Sequence, residues 1–137
     1  QLAPKIMSAF HDLGRQHPSD EKVSMRQFQA LIILAANDHL TLTQIGEKLS
    51  LAPSTATELA NRMISLELLK KAGEDMDKRQ VKLTLTPKGI ELVKKRQQAM
   101  ADMFGRFMEP FSPADQEEFV NSFDTIWNMI VKYHIKD

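Results

Sequence analysis

The sequence predicts a mainly α fold with one small β-hairpin: a winged helix-turn-helix lobe with further helices before and after it. Three observations predict it. Apolar residues recur at three- and four-residue spacing along most of the chain. Two candidate helices are joined by the tight stretch Ser50-Leu51-Ala52. The period changes to strict alternation only at Val81-Lys82-Leu83-Thr84-Leu85. The 137 residues suit one domain, with the winged lobe over about 24–96 and flanking helical segments over 1–20 and 97–137.

Leu2, Ile6, Phe10 and Leu13 share one face of an N-terminal helix that ends near Gly14 to Pro18. Ser24-Met25-Arg26-Gln27 has the form of a capping box, because the hydroxyl and the Gln amide can each satisfy a free N–H at a helix start. Phe28, Leu31, Ile32, Leu34 and Ala35 follow, and a helix so apolar is expected to be buried on nearly every side. A short helix over Thr43 to Leu49 turns Ile45 and Leu49 inward. Ser50-Leu51-Ala52 then leads into Pro53, whose fixed φ suits the first turn of the next helix. In that helix Ala56, Leu59, Ala60 and Met63 mark one face, and Ser54, Thr55, Thr57, Glu58, Asn61 and Arg62 the other. Leu68 to Ala72 reads as a strand, the polar stretch from Gly73 to Lys78 as a turn, and Val81 to Leu85 as the returning strand. Thr86-Pro87 starts a long helix through about Glu109, and Ser112-Pro113 starts a last one faced by Phe119, Phe123, Ile126, Trp127, Ile130 and Val131.

The formal net charge is zero, with 18 basic and 18 acidic residues, but the charge is unevenly placed. Residues 41–96 hold 11 basic against 7 acidic side chains, a net +4, and the flanks carry the compensating −4. Such a division is either the mark of a segment that faces a polyanion or a chance fluctuation of surface charge. All nine aromatic residues lie outside 41–96, so the basic segment lacks the stacking platform that single strands and RNA loops require, and duplex DNA suits it better. With no cysteine, a disulfide scaffold, a Cys-ligated zinc site and a thiol switch are excluded. The longest apolar run, Ala30 to Ala36, is far short of the roughly 20 residues of a membrane helix, so no membrane partner is expected. No signal-peptide pattern opens the chain, and a cytoplasmic location is the expectation. No nucleophile motif, Gly-rich phosphate loop or metalloprotease signature is present, so no enzyme activity and no cofactor are expected. His11, His17, His39 and His134 show no close ligand spacing.

Asp77-Lys78-Arg79, followed by Val81-Lys82-Leu83-Thr84-Leu85-Thr86-Pro87-Lys88-Gly89, resembles the D-x-R wing, outgoing strand and L-T-x-x-G helix start of the MarR family of bacterial transcriptional regulators. Leu51-Ala52-Pro53-Ser54-Thr55-Ala56-Thr57 is similar to that family's turn into its recognition helix, and the likeness runs from about Ser24 to Lys95. The resemblance implies a homodimeric repressor. Its terminal helices would intertwine, its recognition helix would enter a major groove and its wing an adjacent minor groove. It also implies release by a small phenolic or other apolar anion. Three departures stand out. Glu58 occupies a position that is often basic in the family. Glu67 replaces the usual helix-ending Gly, and Ala52 the usual capping Ser. Each of the last two costs on the order of 1 kcal/mol of helix-end stability.

On this reading Ser54 and Thr55 position the DNA backbone, Thr57, Glu58 and Asn61 face bases, and Arg62 meets phosphate or guanine. Arg79 enters a narrow minor groove, oriented by Asp77, with Lys78 and Lys82 beside phosphates. The apolar surplus of the terminal helices points to a two-fold dimer through Ile6, Phe107, Phe119, Phe123, Trp127 and Ile130, which matches a palindromic operator. Phe10, His11 and Phe28 are candidates for the wall of an effector crevice between the first helix, the Phe28–Ala36 helix and the start of the long helix. Two alternatives stay open at this point: a winged-helix protein-interaction module that leaves DNA alone, favoured by Glu58 and the neutral total charge, and a metal-responsive regulator.

Overall fold

The computed structural model describes residues 1–15, 23–37, 39–72 and 81–134. The elements run α1 (Ala3–Arg15), α2 (Met25–Ala36), β1 (Leu40–Thr41), α3 (Leu42–Leu49), α4 (Pro53–Ser65), β2 (Leu69–Ala72), β3 (Lys82–Leu85), α5 (Pro87–Met108) and α6 (Pro113–His134). The chain is mainly α with a small antiparallel sheet, and it forms two compact units, residues 1–99 and 100–137.

Capping chemistry sets most of the helix starts. Ser24 Oγ accepts from the Gln27 N–H at 3.1 Å while Gln27 Oε1 accepts from the Ser24 N–H at 3.0 Å, the reciprocal box expected at the start of α2. Thr41 and Gln44 form a second box at the start of α3, which therefore begins at Leu42, one residue before the expected Thr43. Thr86 Oγ1 accepts from the Gly89 N–H and Ser112 Oγ from the Asp115 N–H, so the Thr-Pro and Ser-Pro starts of α5 and α6 are both observed.

The sheet has the order β1-β3-β2, three strands where the sequence indicates a hairpin. Leu40 pairs with Leu83 and Leu69 with Leu85, and all four leucines point into the core. They close against Ala30, Leu31 and Leu34 of α2, Ile45 and Leu49 of α3, Ala60 and Met63 of α4, and Leu92 and Val93 of α5. A strand of two residues is too short to display an alternating period, which is why β1 escapes a sequence reading.

The expectation that α2 is buried on nearly every side is corrected. Ala30, Leu31 and Leu34 are buried and Phe28 is half-buried, but Ile32 is 36% exposed and Ala35 is exposed. Within this unit α2 packs on α3 and β3, which cover one side. An uninterrupted apolar run carries no periodic mark of which side that will be.

In the second unit, Phe104, Phe107, Phe111, Phe119 and Phe123 stack edge-on or tilted, with ring centroids 5.2–6.1 Å apart. Beyond Phe123 the face of α6 is bare: Ile126 and Trp127 are 56% and 55% exposed, and Ile130 and Val131 are exposed too. Leu2, just before α1, and Ile6 and Met7 on it are likewise exposed. No helix among the described residues is long and apolar enough to cross a membrane.

Candidate nucleic-acid interface

The candidate interface is built on the α3–turn–α4 unit. Ser50 ends α3 in the left-handed region (φ 55°), and the Leu51 N–H donates to the Gly46 carbonyl at 2.8 Å, reversing the chain within three residues. A Cβ on Gly46 would lie 3.4 Å from both Ala56 Cβ and the Leu51 carbonyl, so the two smallest side-chain types let α3 and α4 approach closely. Arg26 of α2 donates from Nη1 to the Leu49 carbonyl at 3.0 Å and ties down the end of α3.

Pro53 occupies the first turn of α4, and Ala52 caps it without a side-chain hydrogen bond, as its apolar methyl dictates. Ala56, Ala60 and Met63 are buried and Leu59 half-buried, whereas Ser54, Thr55, Thr57, Glu58, Asn61 and Arg62 are all exposed, the division expected from spacing. Thr57 Oγ1 donates to the Pro53 carbonyl at 2.9 Å, which occupies its hydroxyl proton inside the helix. Among the described residues the side chains of Glu58, Asn61 and Arg62 make no hydrogen bond or ion pair, and they form a polar edge about one turn long.

The far end of α4 closes as a Schellman motif: the Glu67 N–H donates to the Ile64 carbonyl at 2.9 Å and the Leu68 N–H to the Met63 carbonyl at 3.0 Å. Glu67 takes the left-handed position (φ 61°) that glycine usually fills, at a cost of about 1–2 kcal/mol for an L side chain. The start of α5 braces this turn. Thr86 Oγ1 donates to the Glu67 carbonyl at 2.6 Å, Lys88 Nζ to the Leu66 carbonyl at 3.1 Å, and the Thr86 N–H to the Leu68 carbonyl at 3.1 Å. The Lys88–Glu67 ion pair at 3.8 Å is exposed and adds about 0–1 kcal/mol. This brace escapes the sequence reading, because Thr86 and Lys88 look like an ordinary helix start.

Lys70 and Lys71 on β2 and Lys82 on β3 are exposed on the sheet beside α4, with Lys82 opposite both Thr41 and Ala72. Asp77, Lys78 and Arg79 lie outside the described residues. Of the crevice candidates, Phe10 is half-buried and His11 exposed on α1. Phe28 lies under the Arg96 guanidinium, 4.9 Å from ring centroid to Cζ. A cavity of about 570 Å³ between α2, β3 and the start of α5 is lined by Leu34, His39, Leu85, Ile90, Val93 and Lys94 among others, and none of those three residues borders it. Among the described residues no three His, Asp or Glu side chains gather as a metal site. Of the residues proposed for the dimer interface, Ile6, Phe123, Trp127 and Ile130 are exposed and Phe107 and Phe119 half-buried within the ring cluster.

Comparison with known proteins gives a consistent set of likenesses. A model described as MarR family matches residues 22–80. The uncharacterized HTH-type transcriptional regulator YsmB of Bacillus subtilis (strain 168) is 32% identical over 108 residues, covering 76% of this chain and 74% of that protein. Among solved structures, a MarR family protein from Bacillus stearothermophilus superposes with a TM-score of 0.80 at 23% identity, covering 95% of this chain and 91% of the other. The PcaV transcriptional regulator from Streptomyces coelicolor, in complex with its natural ligand, superposes with a TM-score of 0.62 at 26% identity, covering 93% and 89%.

Proposed function

This chain belongs to the MarR family of DNA-binding transcriptional regulators, which are not enzymes, and on that premise we propose that it acts as a homodimeric repressor released from a palindromic operator by a small ligand. One observation carries the reading: α4 presents an unbroken polar face of exposed Ser54, Thr55, Thr57, Glu58, Asn61 and Arg62 while its other face is anchored in the core. In the major groove Ser54 and Thr55 approach phosphates near the helix N-terminus, whose free N–H groups favour an anion. Thr57, Glu58 and Asn61 then meet base edges, and Arg62 meets phosphate or guanine. Arg79, oriented by Asp77, reads the width of the next minor groove, and Lys78 and Lys82 neutralise phosphates. Non-specific affinity comes mainly from the wing and from Lys70, Lys71 and Lys82, since α4 holds Arg62 as its one cation against Glu58.

The exposed apolar faces of α1 and α6 support pairing of two copies through Ile6, Phe107, Phe119, Phe123, Trp127 and Ile130, because a patch of this kind is rarely left to solvent. A two-fold dimer places its reading helices on half-sites about 34–36 Å apart, one turn of B-DNA. The effector is a phenolic or other apolar anion held in a crevice that includes Phe10, His11 and Phe28. The relative solved with its natural ligand supports a ligand of some kind. A cytoplasmic location follows from the role.

The test is selection of bound duplexes from a random pool, followed by binding at 50 and 200 mM salt. The reading expects a palindrome and a steep fall in affinity between the two salts, roughly 10³-fold or more for six or more phosphate contacts. Failure to enrich any duplex would overturn it and favour the protein-interaction alternative.

A further inference from the structure

We propose that Glu58 and Arg62 act as a pair that reads a single C·G base pair in each operator half-site, Glu58 accepting from cytosine N4 and Arg62 donating to guanine O6 and N7. The proposal rests on the DNA-binding reading above and names the base that reading leaves open. A carboxylate on the DNA-facing side of a helix is repelled by phosphates, so it gains only where a base offers a donor in the major groove. The cytosine amino group is such a donor, and its paired guanine offers two acceptors beside it. Glu58 and Arg62 stand four residues apart, which brings their Cβ atoms to about 5–6 Å on one helix face. That separation suits a donor and acceptors spread across one base-pair edge. In helices a Glu and an Arg so placed often close on each other, but here both side chains are exposed and neither makes an ion pair or hydrogen bond among the described residues. Each is left with its hydrogen-bonding capacity for the groove, and when docked the guanidinium offsets the field of the carboxylate.

The experiment uses the full chain and the duplex enriched from a random pool, with every single base-pair variant of one half-site measured by fluorescence anisotropy. Wild-type protein should prefer C·G at one position and bind the other three pairs there about 5- to 100-fold more weakly. Glu58→Ala and Arg62→Ala should both flatten the preference at that same position. Glu58→Gln should move it toward adenine, which offers the donor and acceptor an amide can pair. Circular dichroism confirms that each variant is folded. The pair is overturned if the two alanine variants flatten different positions or if Glu58→Ala leaves every preference intact. It is also overturned if Arg62→Ala weakens all duplexes alike and lowers the salt slope by about 0.9, the signature of a phosphate contact. Enrichment of no duplex by the wild type instead strikes the DNA-binding reading itself, and this inference with it.

Discussion

Gly89→Ala should destabilise the winged lobe, although alanine is the better helix former. A Cβ at Gly89 would stand 2.3 Å from the Leu68 carbonyl oxygen and 3.3 Å from Leu85 Cδ2. The first obstacle is backbone and cannot rotate away, so the α4–β2 corner and α5 must separate by about 1 Å to restore ordinary contact. That movement weakens the Thr86 N–H to Leu68 carbonyl bond, worth about 0.5–1.5 kcal/mol, and strains a packed corner at about 1–3 kcal/mol. Helix propensity returns about 1 kcal/mol, leaving a net loss of about 2 kcal/mol. Urea unfolding followed by far-UV circular dichroism, at one fixed protein concentration, should show the midpoint falling by about 1 M. Gly105→Ala is the control, since nothing lies within 4 Å of a Cβ there and α5 should gain up to about 1 kcal/mol. Equal stabilisation by both substitutions would refute the steric argument.

Ala52→Ser supplies the hydroxyl that the start of α4 lacks and should raise stability by about 1 kcal/mol in thermal unfolding; no gain would mean that the cap geometry does not admit the bond. Arg79→Ala should weaken operator binding and leave the particle mass in light scattering unchanged, and an unchanged affinity in an anisotropy titration would remove Arg79 from the proposed interface. Trp127→Asp changes a side chain already half in solvent within the single chain, so its fold should persist while light scattering reports monomers; a particle of wild-type mass would displace the proposed interface.

Local signals that depend on a few neighbouring residues were legible from the sequence. The Ser24–Gln27 box, Pro53 at the start of α4, the Thr-Pro and Ser-Pro helix starts and the two faces of α4 follow from chemistry within one or two turns. The positive φ at Glu67 and the uncapped Ala52 are legible only against the pattern of the family the chain resembles, which has Gly and Ser there. What the sequence concealed depends on the far side of the chain. β1 exists only because β3 pairs with it from far along the chain, Thr41 with Lys82 and Leu40 with Leu83, positions 41 and 43 residues apart. The exposure of Ile32 reflects which side its neighbours leave open. The brace of Thr86 and Lys88 on the end of α4 joins residues 19 and 22 positions apart, and neither donor advertises its carbonyl in advance.

The two faces of α4 differ in what a substitution costs. Ala56, Ala60 and Met63 are bound to the core and cannot change size without cost, whereas exchange at the six outward positions shifts stability by about 0.5 kcal/mol or less in ordinary surface contexts. If those positions read DNA as proposed, the helix can change what it reads one residue at a time without endangering the scaffold. On the proposed reading, two such chains can differ in what they recognise while sharing one fold.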